Sequence, residues 1–244
     1  MNALSIRDTK RRSLSIAAIA FALLFLALYI PFHPYPGSFL IKAVPVACLV
    51  ALSLLYLQKA PRILFTCGLF FSLLGDVVLD LDRARFFILG LLFFLIAHIF
   101  YAILFIRQIK FSKKAWPIIF GISLYALILA FLLRNMDLAR LPAVLVYLLT
   151  ISLMSIFAGL QMTHHSYSGW SVIVFVGALV FMISDTIIAV NQFLQPIPYS
   201  LMYSLSCYWT AQFLLVLGML RKPTGISSSN APRTPEPPAV ISRM

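Results

Sequence analysis

The sequence predicts an all-α fold, a polytopic membrane protein of eight transmembrane helices with the N- and C-termini cytoplasmic. Three observations carry that expectation. The 244 residues are 62% hydrophobic and only 11% charged, whereas soluble domains carry about a quarter charged residues. Apolar runs of about 20 residues, the length a bilayer core requires, follow one another with short turn-rich breaks between them. The basic residues gather in those breaks and are denser on alternate sides.

The first run, "LSIAAIAFALLFLALYIPF", follows the basic stretch "RDTKRRS". Its apolar core is longer than that of a signal peptide and leads into "HPYPG" without a small-residue cleavage site, so Leu14–Phe32 reads as a retained helix. The second and third spans, Phe39–Leu57 and a shorter Ile63–Leu79, are joined by "QKAPR". After "DLDRAR" comes the fourth, Phe86–Ile106, and then Trp116–Leu133 and Leu141–Leu160, joined by "RNMDLAR". The last two, Trp170–Val190 and Tyr199–Leu220, follow "THHSYSG" and "NQFLQPIP". Pro45, Pro117 and Pro142 all fall near span starts, where proline is tolerated.

These spans divide the chain into a cytoplasmic basic N-terminus (1–13), an eight-helix membrane domain (14–220) and a cytoplasmic tail (221–244). The tail, rich in Pro and Ser, is expected to be disordered.

A net charge of +12 is of the kind that nucleic-acid-binding proteins carry. The placement of the charges excludes that partner class and points instead to anionic lipid. With the N-terminus inside, fourteen of the nineteen Lys and Arg residues lie on the cytoplasmic side, leaving Lys42, Arg83, Arg85, Arg134 and Arg140 on the other. If the chain is bacterial, its membrane is the cytoplasmic (inner) one. Cys48, Cys67 and Cys207 all lie in apolar runs and read as small buried hydrophobes.

Of the seven acidic residues, only Asp76 and Asp185 lie clearly within spans; Asp80, Asp82 and Asp137 read as span ends or loops. An aspartate near the centre of a membrane helix costs about 2.5–3.5 kcal/mol, so each must face protein or a wet cavity. Under the proposed topology the third and seventh spans run outward, which puts both carboxylates roughly 5–8 Å below the non-cytoplasmic boundary. Two acids at one depth can share a site, one protonated and one ionised. The plainer reading is that each bonds across helices or pairs with a basic neighbour such as Lys42 or Arg83.

Other polar residues within the spans have two readings. Lys42 is either a snorkelling anchor or a phosphate ligand. His98 and Tyr101, three residues apart, share a helix face, and a lone buried histidine is more often a hydrogen-bonded core residue than a ligand. Tyr208 and Gln212, four apart, project together and can simply bond neighbouring helices. No His/Asp grouping has metal spacing, so neither a metal nor a cofactor is expected.

Taken in chain order, these motifs resemble the YhhN family of integral membrane proteins. They are Lys42 and Pro45 in "KAVP"; Ser72, Gly75 and Asp76 in "SLLGDVVL"; and Gly90, His98 and Tyr101 in "GLLFFLIAHIFY". Tyr147 and Met154 follow in "VYLLTISLM", then Gly177, Ser184, Asp185 and Asn191 in "GALVFMISDTIIAVNQF", then Tyr208 and Gln212 in "YWTAQ". One departure is Trp209, where the pattern carries a second Tyr; Asp80 and Asp82 lie outside the pattern.

The resemblance spans about residues 14–220 and implies a lysoplasmalogenase: hydrolysis of the sn-1 vinyl ether of a lysophospholipid to a fatty aldehyde and glycerophosphoethanolamine or glycerophosphocholine. Its partners would be that substrate and membrane lipid. A vinyl ether resists base and yields to acid. The paired Asp76 and Asp185 therefore suit the catalytic roles, as carboxylate pairs do in glycosidases. Lys42 would hold the phosphate, with His98, Tyr101, Tyr208, Gln212, Ser72 and Asn191 binding or orienting. Two other classes remain open from the residues: a proton-coupled small-molecule transporter, and a metal-dependent intramembrane lipid amidase, which needs several histidines at one depth.

Overall fold

The computed structural model describes residues 3–32, 37–57, 59–107, 109 and 112–223. His33, Lys110 and the tail beyond Pro223 lie outside the described residues.

Eight long helices form in chain order: α1 (Ala3–Phe32), α2 (Ser38–Tyr56), α3 (Lys59–Leu81), α4 (Arg83–Ile106), α5 (Trp116–Leu133), α6 (Leu141–His164), α7 (Gly169–Phe193) and α8 (Ser200–Arg221), with a 3-10 turn at Lys113–Ala115. Seven of them, α2 to α8, are long and apolar enough to cross a membrane. The apolar stretch described in α1, Arg12–Leu28, is shorter. The fold is therefore an all-helical membrane protein with seven candidate spans among the described residues.

Most helices outrun their expected spans. α3 begins four residues earlier than predicted and ends two later, and α6 continues through His164. Hydropathy marks only the segment that lipid tolerates, whereas hydrogen bonding within the helix carries on through polar residues until a breaker or a cap. The caps are local. Asp82 ends the α3–α4 break by accepting from Arg85 N at 3.0 Å. Gly37 takes φ 80° ahead of α2, a left-handed conformation that glycine adopts without penalty. Pro117 and Pro142 sit in the first turns of α5 and α6, where no intrahelical N–H is lost. Pro45 instead lies inside α2.

The packing makes a ring. α2 packs on α3, α3 on α4, α4 on α6, α6 on α7, α7 on α8, and α8 returns to α2. α1 lies outside against α2 and α8, and α5 lies outside against α6. The sequence of α5 explains its place: it is apolar all round, and only Ile122, Leu129 and Leu133 are buried, while Phe120, Leu127 and Phe131 are exposed. Such a helix loses nothing by facing lipid, which is as apolar as leucine.

Inside the ring, small residues let helices approach. A Cβ on Gly75 would stand 2.7 Å from the Phe94 ring, so this glycine is what admits Phe94 against α3. Phe94 in turn meets Tyr208 edge-on at 5.6 Å.

Candidate active site

All six ring helices send polar side chains inward at one end of the bundle, in two layers. The outer layer contains Asp76 from α3. Its Oδ2 accepts from the Tyr208 hydroxyl of α8 at 2.7 Å, and Lys42 Nζ of α2 lies 3.8 Å from its Oδ1. Lys42 also donates to the Asp76 carbonyl at 3.2 Å and pairs with Asp80 Oδ1 at 3.6 Å. Ser38 closes this side by donating to the other oxygen of Asp80.

Lys42 is 1% exposed, so the snorkelling reading is replaced by a buried ammonium shared between two carboxylates. The basic-neighbour reading of Asp76 does describe its geometry. Asp80, read as a span end, belongs to α3 and has a side chain only 3% exposed. The signal in the sequence was its four-residue spacing from Asp76, which puts both acids on the same helix face.

Asp185 of α7 has different company. Its Oδ2 accepts from the Tyr147 hydroxyl of α6 at 2.6 Å. His98 Nε2 of α4 stands 3.9 Å from the same oxygen, and no ammonium or guanidinium pairs with it among the described ion pairs. The His98 ring is fully buried, edge-on to Phe181 at 4.6 Å and to Tyr147 at 5.4 Å. Tyr147 was not among the sequence-derived site residues, although its motif was noted. An aromatic in a run of leucines gives no hint of which way its hydroxyl points.

Asp76 and Asp185 border one cavity of about 20 Å³, whose wall also includes Lys42, Arg83, Ser184 and Tyr208. That volume holds about one water molecule, which needs roughly 10–15 Å³ and two or more polar partners. The carboxylates lie five and eight residues before the ends of α3 and α7, roughly 8 and 12 Å of helix. Both are deeper relative to the helix ends than the predicted spans implied, because α3 and α7 are longer.

The inner layer, one helical turn further in, contains Tyr101 and Gln212. The Tyr101 hydroxyl donates to Gln212 Oε1 at 3.0 Å, tying α4 to α8. Ser72 stands beside Tyr101, and Gln212 beside Tyr208. The expected residues thus fall into two stacked layers, except Asn191. Its Oδ1 accepts from Ile197 N at 2.9 Å and fixes the α7–α8 loop, away from the cavity wall. Trp209, the departure from the family pattern, faces the other way and packs edge-on against Phe25 of α1 at 5.7 Å.

At the opposite end of the bundle, His164, His165 and Lys222 cluster around Trp170. Lys222 Nζ sits 4.7 Å above the Trp170 ring, and burial lowers its pKa to about 8. His165 is also pushed down, first by desolvation and then by His164 and Lys222. Among the described residues no group of three or more His, Cys, Asp or Glu side chains is arranged to hold a metal ion.

These features define a class: a polytopic helical membrane protein with two carboxylates facing a water-sized cavity. The chain belongs to the YhhN family, whose model matches residues 37–219. It is 34% identical over 188 residues to lysoplasmalogenase TMEM86A of Bos taurus, covering 74% of this chain and 77% of that protein. Over 187 residues it is 34% identical to lysoplasmalogenase TMEM86A of Homo sapiens, again with 74% and 77% covered. With lysoplasmalogenase TMEM86B of Rattus norvegicus the identity is 31% over 219 residues, covering 87% and 86%. No solved structure is significantly similar to the chain.

Proposed function

We propose that the protein is an integral membrane hydrolase that cleaves the sn-1 vinyl ether of lysoplasmalogens, releasing a fatty aldehyde and glycerophosphoethanolamine or glycerophosphocholine. The observation that carries the reading is a cavity of about 20 Å³ bordered by both Asp76 and Asp185. The names of the relatives support the substrate class.

The surroundings of the two acids support distinct roles. Asp76, beside the Lys42 ammonium, is the ionised partner; Asp185, with no ammonium or guanidinium paired to it among the described residues, is the proton donor. Asp185 delivers its proton to the β-carbon of the vinyl ether, leaving an oxocarbenium ion. Asp76 faces that charge and takes a proton from the water that adds to the cation, giving a hemiacetal. Asp76 then protonates the departing glycerol oxygen while Asp185 recovers the hemiacetal hydroxyl proton. The cycle consumes one water and returns both carboxyls to their starting forms. Lys42 and Arg83, on the cavity wall, are the groups suited to the lipid phosphate.

In the membrane we propose eight spans, with α1 as the first and both termini cytoplasmic, so that the cavity lies toward the non-cytoplasmic leaflet. The decisive experiment is aldehyde release by detergent-purified protein. Lysoplasmalogen should be hydrolysed without any gradient, the saturated alkyl-ether analogue should not, and the Asp76→Asn/Asp185→Asn protein should release no aldehyde. Turnover that survives the double replacement refutes the mechanism. Activity seen only as substrate movement across a sealed, energised membrane favours the transporter.

A further inference from the structure

Resting on that reaction, we propose that a narrow crevice between α4, α6 and α7 binds the first carbons of a single aliphatic lipid chain, and that a much larger groove between α1, α2 and α8 does not. The crevice measures about 40 Å³ and is lined by Leu91 and Phe94 of α4, Val144 of α6, and Ile188 and Ala189 of α7. At its rim Phe87 of α4 and Phe193 of α7 meet edge-on at 5.8 Å. Its wall is apolar except at one point, Asp185, with the Tyr147 hydroxyl behind it.

Continuity with the carboxylate cavity assigns the occupant. Leu79, Phe94, Asp185 and Ile188 line both spaces, so a chain entering the crevice arrives at the Asp185 carboxyl. The Asp185 side chain is 13% exposed, whereas Asp76 is 2% exposed. The polarity reverses in the carboxylate cavity, whose wall includes Lys42 and Arg83, neither of which lines the crevice. The order along this path is apolar crevice, paired acids, cations. That is the order of chain, ether and phosphate in a single-chain ether phospholipid.

The competing space is a groove of about 400 Å³ between α1, α2 and α8, lined by residues such as Leu23, Leu49, Trp209 and Phe213. It shares no wall residue with the carboxylate cavity. Size is a poor guide here. A chain leaving lipid for a protein groove gains no hydrophobic free energy, because the bilayer is equally apolar. The site therefore has to fix only the carbons next to the reacting bond, while the rest of the chain stays in the membrane.

The test uses an alkyl-ether lysolipid with a diazirine on the chain carbon nearest the ether, photolysed with the full-length protein and mapped by peptide mass spectrometry. Adducts are expected on α4, α6 and α7 around Leu91, Val144 and Ala189, and excess unlabelled lysolipid should compete them away. Ala189→Trp, which fills the crevice, should cut that labelling roughly tenfold or more; Leu23→Trp, in the large groove, should leave it unchanged. If the Trp variant does not fold, Ala189→Leu and the competition experiment on the unmutated protein decide.

Adducts on α1 and α8 around Leu23 and Phe213, or spread evenly over the lipid-facing surface, overturn the proposal. Aldehyde release by the unmutated protein, measured in parallel, keeps the two claims separate. Release with adducts elsewhere refutes the crevice alone. Crevice adducts without release from a vinyl ether refute the reaction alone.

Discussion

Asp76 and Asp185 border the same cavity and each accepts a tyrosine hydroxyl, at 2.7 and 2.6 Å, yet their electrostatic settings are opposite. Asp76 belongs to a network in which Lys42 bridges two carboxylates and Ser38 holds the second. Asp185 has the Tyr147 hydroxyl and an imidazole at 3.9 Å, and no ammonium or guanidinium pairs with it among the described ion pairs. A buried carboxylate is tolerable when paired and costly when not. The difference fits the proposed anion and acid side by side in one pocket: among the described ion pairs, the lysine is supplied to only one of the two.

Removing the carboxyls separates the two settings most sharply. Asp76→Asn and Asp185→Asn should each lower kcat for aldehyde release by about 10²–10⁴-fold, the range of a positioned acid or base. Their melting temperatures should diverge. Asp185→Asn costs no ion pair and should leave Tm unchanged or higher, whereas Asp76→Asn takes a carboxylate from Lys42 and should lower it. Equal Tm changes in detergent melts would remove the distinction.

Next in size is Lys42→Met, which leaves Asp76 and Asp80 buried without their shared ammonium. Breaking such a pair from one side costs about 3–5 kcal/mol, so Tm should fall by several degrees and turnover with it. Lys42→Met/Asp80→Asn restores the charge balance and should recover most of the Tm but not the activity. Recovery of both would show that Lys42 serves packing alone.

Smaller effects are expected from the tyrosines. A hydrogen bond to a charged group contributes about 1.5–3 kcal/mol and one to a neutral group about 0.5–1.5 kcal/mol. Tyr208→Phe, at the ionised Asp76, should therefore slow turnover by roughly 10- to 100-fold, and Tyr147→Phe, at the protonated Asp185, by roughly 2- to 10-fold. Unchanged kcat in either variant would show that its hydroxyl does not act on the reacting carboxyl.

The smallest expected effect lies at the other end of the bundle and serves as a control. Lys222 has a pKa lowered to about 8 by burial, so the folded state favours its neutral form. The sign follows directly. Folding is penalised while Lys222 is charged, and the penalty fades as pH rises from about 8 toward the ordinary lysine value near 10.4. Tm should therefore rise slightly over that window, and Lys222→Met should abolish the rise. Aldehyde release should not respond to this variant, since the cluster shares nothing with the carboxylate cavity.

How much of this was legible in the sequence differs by residue. The helices were, because about 20 apolar residues in succession have few other structures available in a bilayer. Asp76 and Asp185 stood out because lipid penalises a charge so heavily that the exception is informative. Lys42 was visible as a residue but not as a bridge, since a lysine at a span start reads equally as an anchor. Asp80 was hidden by a span end drawn two residues short of the helix end. Asn191 matched the family pattern, but its side chain fixes a loop. Tyr147 carried no signal of its own, because tyrosine in an apolar run is ordinary.

Composition and spacing alone therefore determined that the chain is a helical membrane protein with two acids it must shelter. Those conclusions rest on transfer free energies, which belong to each residue separately. Which acid receives the ammonium, which tyrosine reaches which carboxyl, and which cavity touches the site were decided only when six helices closed into a ring. Those are distances between residues up to 132 positions apart, and the hydropathy of a segment contains no term for them.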